Sequence, residues 1–143
     1  MSLSGFLYAI AAAVTWGLVY TIDQRVLKGL TPLTLLFIDS VLTAILLLPV
    51  AFLQKSTLST LSHTPFKLWG LVILSLALAA LANFFIYSSI RIMGASTASI
   101  FEIVYPFFVA LFTALVFGSE LNVFFFLGAV LIFLGSAIII GLA

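Results

Sequence analysis

Residues 31–55 have the sequence TPLTLLFIDSVLTAILLLPVAFLQK, in which Asp39 is the only charge before Lys55. An apolar run of about 20 residues, rising 1.5 Å per residue, is long enough to cross a hydrocarbon core of about 30 Å as an α-helix. Barrel strands are shorter and alternate in polarity, so the segment predicts a membrane-spanning helix. Thr31 and Pro32 are typical of a helix N-cap and a first helical residue.

Four further runs of similar length and composition lie on either side of this segment. Short polar or glycine-containing stretches separate them, and the five runs together account for nearly the whole chain. The sequence therefore predicts one all-α membrane domain over residues 1–143 with five transmembrane helices. The predicted spans are residues 3–22, 31–53, 67–90, 96–117 and 122–142. We expect residues 56–65 to form a loop at the membrane interface and Ser96 to cap the fourth span.

The composition supports a membrane protein and excludes several classes of function. The chain has 143 residues and is 65% hydrophobic and 6% charged, whereas a soluble domain carries roughly 25% charged residues. A net charge of +1 offers no basic surface for nucleic acid. With no cysteine and one histidine, the chain predicts no disulfide, metal site or cofactor. No nucleophile–base pair or phosphate loop is recognisable, so the sequence does not predict an enzyme.

Two acids, Asp39 and Glu102, lie inside predicted spans whose interiors contain no basic residue. Ionisable side chains in a membrane cost about 2.5–3.5 kcal/mol on insertion scales and are usually functional. Both spans begin on the same side of the membrane, and both acids fall roughly 9–12 Å below that side. We assign the other two acids, Asp23 and Glu120, to turns.

Four uncharged residues extend this polar layer. Trp16 and Asn83 lie on spans that run in the opposite direction, and both reach a similar depth. Tyr105 follows Glu102 by about one turn, and Tyr87 follows Asn83 by one turn, so each pair shares a helix face. Such semi-polar stripes are typical of a water-filled cavity between helices. We predict that these residues and the two acids bind substrate or couple its movement to an ion.

Pro106 lies one turn after Glu102 and predicts a kink in the fourth span, because it has no amide hydrogen for the Glu102 carbonyl. Packing roles for the acids remain open. Glu102 could be neutral and hydrogen-bonded to Asn83 or Tyr87, and Asp39 could pair with Arg91 or face local water.

Small residues recur on two spans and predict close packing of helices. They occupy every fourth position in the first span, and in the fifth span two of them are one heptad apart. The predicted packing residues are Gly5, Ala9, Ala13, Gly17, Gly128 and Gly135. We expect the fifth span to be a surface for self-association.

Basic residues at span ends set the orientation of a membrane protein. Loops on the side of the N-terminus, side A, contain Lys55 and Lys67, whereas loops on the opposite side, side B, contain Arg25, Lys28 and Arg91. Two basic residues on side A against three on side B give almost no preference for one orientation. Two possibilities stay open: a weak preference for side B in the cytoplasm, or insertion in both orientations with antiparallel pairing.

Several segments, in their order along the chain, resemble a known repeat. They are AVTWG (residues 13–17), TPL (31–33), GASTASIFEIVYP (94–106), FGSE (117–120) and GAVLIFLG (128–135). Together they resemble one EamA-type repeat of the drug/metabolite transporter superfamily, over nearly the whole chain. Most members carry two inverted repeats in ten helices, and this chain resembles the five-helix bacterial and archaeal branch. It departs from the family at Asp39, where members often have Arg, and at Tyr105, where they often have Glu.

The resemblance implies a secondary transporter of small metabolites or drugs in the inner or plasma membrane, working by alternating access. It also implies an inverted, antiparallel homodimer, because one repeat supplies half of a ten-helix cavity. The acids that have no basic residue in their own span additionally predict coupling to protons or another ion, or a substrate with a cationic group. Two alternatives remain: a non-transporting membrane subunit or scaffold, and a component of a lipid-linked sugar flippase.

Overall fold

The computed structural model describes residues 2–120 and 122–142, and every regular element in that part of the chain is an α-helix. The helices are α1 Leu3–Val26, α2 Pro32–Leu53, α3 Lys55–His63, α4 Phe66–Met93, α5 Ala95–Glu102, α6 Tyr105–Phe117 and α7 Val123–Leu142. Five segments are long and apolar enough to cross a membrane: α1, α2, α4, α7 and the combined segment Ala95–Phe117. The predicted all-α fold with five spans is thereby confirmed.

The ends of the spans differ in places from the prediction. The first span extends beyond residue 22 to Val26, and the third covers Phe66–Met93. Ser96 is not the cap of the fourth span, because the helix already begins at Ala95 and Gly94 is its N-cap. The predicted cap at Thr31 is confirmed, since its hydroxyl oxygen accepts a hydrogen bond from the Thr34 amide.

The predicted loop over residues 56–65 is wrong, because α3 occupies Lys55–His63 and contacts α2. The Thr60 and Thr64 hydroxyls donate to carbonyls one turn earlier, each over 2.8 Å. Serine and threonine that bond to the preceding turn are compatible with a helix, although they do not favour it.

The backbone contacts divide the chain into two compact units. The middle unit contains residues 22–91, and the terminal unit contains the described residues before and after it. Buried residues of the middle unit are Asp23, Leu27, Pro32, Leu35, Tyr87 and Ile90. The terminal unit buries Ala95 and Ala98 and stacks Phe107 on Phe125 with ring centroids 5.9 Å apart. The single domain over residues 1–143 stays a prediction.

Three of the predicted packing glycines face open space within this chain. A Cβ atom added at Gly17, Gly128 or Gly135 would meet nothing within 4 Å, whereas one at Gly5 would lie 2.9 Å from Ser2 Oγ. No other described helix of the chain therefore approaches closely at these three glycines. Close packing of helices there stays a prediction.

Gly94 joins α4 to α5 with φ 86° and ψ 160°, a backbone conformation that is essentially restricted to glycine. We expect Gly94→Ala to lower the free energy of unfolding by roughly 1–3 kcal/mol, measured by equilibrium unfolding in mixed micelles. Gly70→Ala is the matched control, because Gly70 is helical and its added methyl group would meet open space. An equal loss in both variants would contradict the assignment to backbone strain.

Candidate functional site

Glu102, the last residue of α5, accepts a hydrogen bond from Tyr20. Tyr20 Oη lies 2.7 Å from Glu102 Oε2, and both side chains are half-buried. A hydrogen bond to an ionised carboxylate is roughly twice as strong as one between neutral groups. Trp16 lies one turn before Tyr20 on α1, with its ring centroid 5.6 Å from that of Tyr20. These three residues form the Glu102 cluster of the terminal unit.

The position of Glu102 follows from a break in the fourth span. Helix α5 ends at Glu102, the backbone turns at Ile103 and Val104, and α6 begins with Pro106 in its first turn. The missing amide hydrogen of Pro106 prevents a continuous helix from closing onto the Glu102 carbonyl. Glu102 is therefore a helix-terminal residue inside a membrane span, an arrangement that transporters use at ion and substrate sites.

Asp39 has the same type of partner in the middle unit. Tyr87 Oη donates a hydrogen bond to Asp39 Oδ2 over 2.6 Å. Tyr87 is only 5% exposed, whereas Asp39 is half-buried. Because Tyr87 is packed into the core, its hydroxyl is held in place toward the carboxyl. Two of the four acids in the chain are thus each bonded by a tyrosine from another helix.

Asp23 was assigned to a turn, and that assignment is wrong. Helix α1 continues through Asp23, because the Leu27 amide bonds to the Asp23 carbonyl over 2.8 Å. The side chain is 7% exposed, and its Oδ2 has no hydrogen-bond partner among the described residues. The middle unit therefore contains a buried acid, Asp23, in addition to the half-buried Asp39.

Basic residues do not neutralise these acids. Among the side chains that the structure describes, which leave out that of Lys55, no lysine or arginine forms an ion pair with Asp23, Asp39 or Glu102. The alternative in which Asp39 pairs with Arg91 is therefore wrong, and Tyr87 is its observed donor. The same described residues contain no group of three or more His, Cys, Asp or Glu that could hold a metal ion.

The remaining predicted residues, Asn83 and Tyr105, form no hydrogen bond to an acid of the part of the chain that the structure describes. Asn83 is half-buried on α4, one turn before Tyr87. Tyr105 is 60% exposed and lines an open cleft of about 560 Å³ together with Thr113, Glu120 and other residues of the terminal unit. Glu102 is not among the residues that line this cleft. The common depth predicted for Asp39, Glu102, Trp16 and Asn83 stays a prediction.

Comparison with protein families gives a match over residues 3–141 to the EamA-like transporter family. The chain belongs to this family. No curated protein and no solved structure gives a significant match. The match covers all five spans and confirms the resemblance found in the sequence.

Membership identifies this EamA-like chain as a membrane transporter of the drug/metabolite type. Transporters of this type act on small molecules, and EamA-like proteins are generally not enzymes. Five membrane-spanning helices in one chain make it a multi-pass protein surrounded by the lipid bilayer. The usual location of the family is the plasma membrane.

The sequence analysis of the EamA-like chain missed two features of these acids, the bond of Tyr20 to Glu102 and the burial of Asp23. A signal for both exists in their spacing. Tyr20 follows Trp16 by four residues, and Asp23 follows Tyr20 by three, so all three share one face of a helix. The predicted span ended at residue 22 because of the charge at residue 23, so Asp23 was not placed on this helix face.

Proposed function

We propose that this EamA-like protein is a secondary carrier that moves a small organic molecule by alternating access and couples that movement to a cation at Asp39 and Glu102. The proposal depends on one observation. Each of these acids accepts a hydrogen bond from a tyrosine hydroxyl and forms no ion pair with a lysine or arginine whose side chain the structure describes. Family membership supports the transport class, and the two acids support the coupling.

The physical argument concerns charge in a medium of low dielectric constant. A carboxylate inside a membrane is costly unless a positive charge compensates it. A tyrosine hydroxyl donates a hydrogen bond but contributes no formal charge. The compensating charge must therefore come from a proton or from a cationic group on the substrate. Because the carboxylates can take up and release such a charge, the binding of substrate at the site is coupled to the movement of the cation.

The aromatic residues suit a substrate with a cationic group. The Trp16 side chain is half exposed beside Tyr20, so one part of its ring remains accessible to a ligand. A cation over an aromatic face gains about 0.5–2 kcal/mol, most at tryptophan. We assign Trp16, Tyr87, Asn83 and Tyr105 to the lining of the substrate pathway, with Glu102 and Asp39 as its charged groups.

A single repeat of this fold requires a partner to enclose a cavity, and we propose an antiparallel homodimer. Most large apolar side chains of α1, α2, α4 and α7 are exposed in the single chain. The open surfaces at Gly17, Gly128 and Gly135 would allow the backbone of a second copy to approach. The nearly balanced basic residues at the span ends permit insertion in both orientations.

Flux measurements in proteoliposomes test the coupling. Vesicles that contain a pH-sensitive dye are exposed to a panel of small organic amines and amino acids, and proton movement driven by each compound is recorded. We expect Glu102→Gln and Asp39→Asn to lower compound-driven proton movement by about tenfold or more, which corresponds to about 1.4 kcal/mol. Loss of a hydrogen-bonded charge is worth roughly 1.5–3 kcal/mol, enough for such an effect.

Tyr8→Phe is the matched control, because Tyr8 is 77% exposed on α1 and belongs neither to the Glu102 cluster nor to the pair of Asp39 and Tyr87. It should transport like the wild type. The coupling proposal fails if both carboxylate variants transport as well as the wild type from about pH 6 to about pH 8. Purified wild-type protein that stays monomeric and binds no compound of the panel would instead favour a non-transporting subunit.

A further inference from the structure

The open cleft of the terminal unit is unexplained by the two proposed coupling acids. It has a volume of about 560 Å³ and is lined by residues of α6, of the first turn of α7 and of the turn between them. Sites for small molecules occupy roughly 300–1,000 Å³, and most of their lining is apolar with a few polar groups. The cleft has this composition, because Val109 and Phe125 line it together with Thr113 and Glu120.

The cleft extends from the membrane surface to the middle of the fourth span. Ser119 and Glu120 lie between the spans Ala95–Phe117 and Val123–Gly141, which places them at the surface. Tyr105 also lines the cleft and lies near the middle of the fourth span, which has 23 residues. At 1.5 Å per residue it is about 18 Å from the end of α6. A molecule in the cleft would contact water at one end and the membrane interior at the other.

The local backbone places Glu120 at the outer end of the cleft. Helix α6 ends at Gly118, whose φ of 65° is the left-handed conformation of a glycine C-cap. The start of α7 is defined by Asn122, whose Oδ1 accepts a hydrogen bond from the Phe124 amide over 3.0 Å. The turn that carries Glu120 therefore begins and ends at ordered helix termini.

The charges of the chain make this cleft negative. Residues 1–21 and 92–143 contain two carboxyl side chains, Glu102 and Glu120, and no lysine, arginine or histidine. Glu120 is exposed, and no lysine or arginine side chain that the structure describes forms an ion pair with it. A cleft that carries one sign of charge between walls of low dielectric constant concentrates ions of the opposite sign. The cleft should therefore attract a cation.

The lining restricts the chemistry of that cation. Hard metal ions take about six or more oxygen ligands, whereas Glu120 is the one carboxylate among the described lining residues. The apolar walls instead match an organic cation with a hydrocarbon body. A phospholipid with an ammonium headgroup fits less well, since it also carries a phosphate. Phosphate is typically bound by arginine or lysine, and the described lining contains neither.

We propose that this cleft binds a small organic cation with an apolar body. The cationic group lies at Glu120, and the apolar part extends along Val109 and Phe125 toward Tyr105. This inference deepens the proposed carrier function and rests on it for its role in transport. It gives the class of the substrate and places its first contact at the membrane surface, in a cleft that leads to the break between α5 and α6.

Equilibrium binding to the purified full-length protein tests the site without transport. Hexylammonium chloride is titrated into the protein in detergent at neutral pH, the heat of binding is measured by calorimetry, and empty micelles are the blank. Hexanol and hexanoate have the same hydrocarbon chain with no charge or a negative charge. We expect wild-type protein to bind hexylammonium at least about tenfold more tightly than either, a difference of about 1.4 kcal/mol.

Two kinds of substitution separate the charge from the cleft. Glu120→Gln should raise the Kd for hexylammonium by about tenfold or more, whereas Glu120→Asp, which keeps the charge, should retain most of the binding. Thr113→Phe should weaken binding by filling the cleft. Thr15→Phe is its matched control in the same unit, because Thr15 is an exposed threonine of α1 that does not line the cleft, and it should bind like the wild type. Circular dichroism checks the helix content of each variant.

The proposal is overturned if the wild type binds hexylammonium no more tightly than hexanol, or if Glu120→Gln and Thr113→Phe both bind like the wild type. Displacement of bound hexylammonium by phosphatidylethanolamine would also contradict it, since a lipid would then occupy the cleft. Because no vesicle or proton movement is involved, protein that binds hexylammonium but fails the flux test would keep this site and refute the coupling. The reverse result would refute the site and keep the coupling.

Discussion

Replacing Tyr87 by alanine is expected to lower the free energy of unfolding of the protein by roughly 3 kcal/mol, as removal of a buried aromatic side chain usually does. Tyr87 is 5% exposed and lies in the core of the middle unit with Leu35 and Ile90. The loss would have two parts, a cavity in that core and an Asp39 carboxyl without its tyrosine donor. Equilibrium unfolding in mixed micelles measures the sum.

Tyr87→Phe separates the two parts. It keeps the ring and removes only the hydroxyl, and hydrogen bonds between membrane helices average about 0.6 kcal/mol with a maximum of about 1.7. We therefore expect Tyr87→Phe to account for less than half of the loss in Tyr87→Ala. Tyr8→Ala is the exposed control, and substitutions at such positions stay within about 0.5 kcal/mol. Equal losses in Tyr8→Ala and Tyr87→Ala would contradict the placement of Tyr87 in the core.

Much of the architecture could be predicted because the membrane imposes a simple rule on the sequence. A span must be apolar for about 20 residues, and every backbone amide must be satisfied within its helix. The segment around Asp39 obeys this rule despite its acid, because one costly residue does not outweigh the apolar residues around it. Pro106 has no backbone amide hydrogen and therefore predicts an interruption of the fourth span. In the structure the helix is interrupted at Ile103 and Val104.

The partners of the acids could not be predicted in the same way. Periodicity identifies which residues share a face of one helix, but not which face of another helix lies opposite. Glu102 was expected beside Asn83 or Tyr87, and the structure shows Tyr20 as its donor. Tyr20 contributes no charge and interrupts no apolar run, so only its spacing from Trp16 and Asp23 distinguished it from a packing residue.

Helix ends were the other source of error, for a related reason. The charge at Asp23 was taken as the end of a span and residues 56–65 as a loop, because polar residues usually lie where a helix leaves the membrane. A helix can continue past that point, since water and headgroups solvate its exposed face while its backbone stays bonded. In α1 this continuation carries Asp23 into the core of the middle unit.

Reporter fusions at the two ends of the chain are expected to show both orientations in the membrane. Side A contains Lys55 and Lys67, and side B contains Arg25, Lys28 and Arg91. With so small a difference the positive-inside rule gives no firm preference, so phosphatase and fluorescent-protein reporters should both be active at each end. Changing a few charges should then have a large effect, because the wild type lies close to balance.

We expect Lys55→Ala with Lys67→Ala to convert the mixture into one orientation with side B in the cytoplasm, and Arg25→Ala with Arg91→Ala to favour the opposite one. Glu120→Gln is the control, since acids contribute little to orientation and the mixture should persist. A wild-type chain found in a single orientation would contradict dual insertion. It would also exclude an antiparallel homodimer, because two copies inserted the same way cannot form one. The cavity of the carrier would then require a parallel pair or another protein.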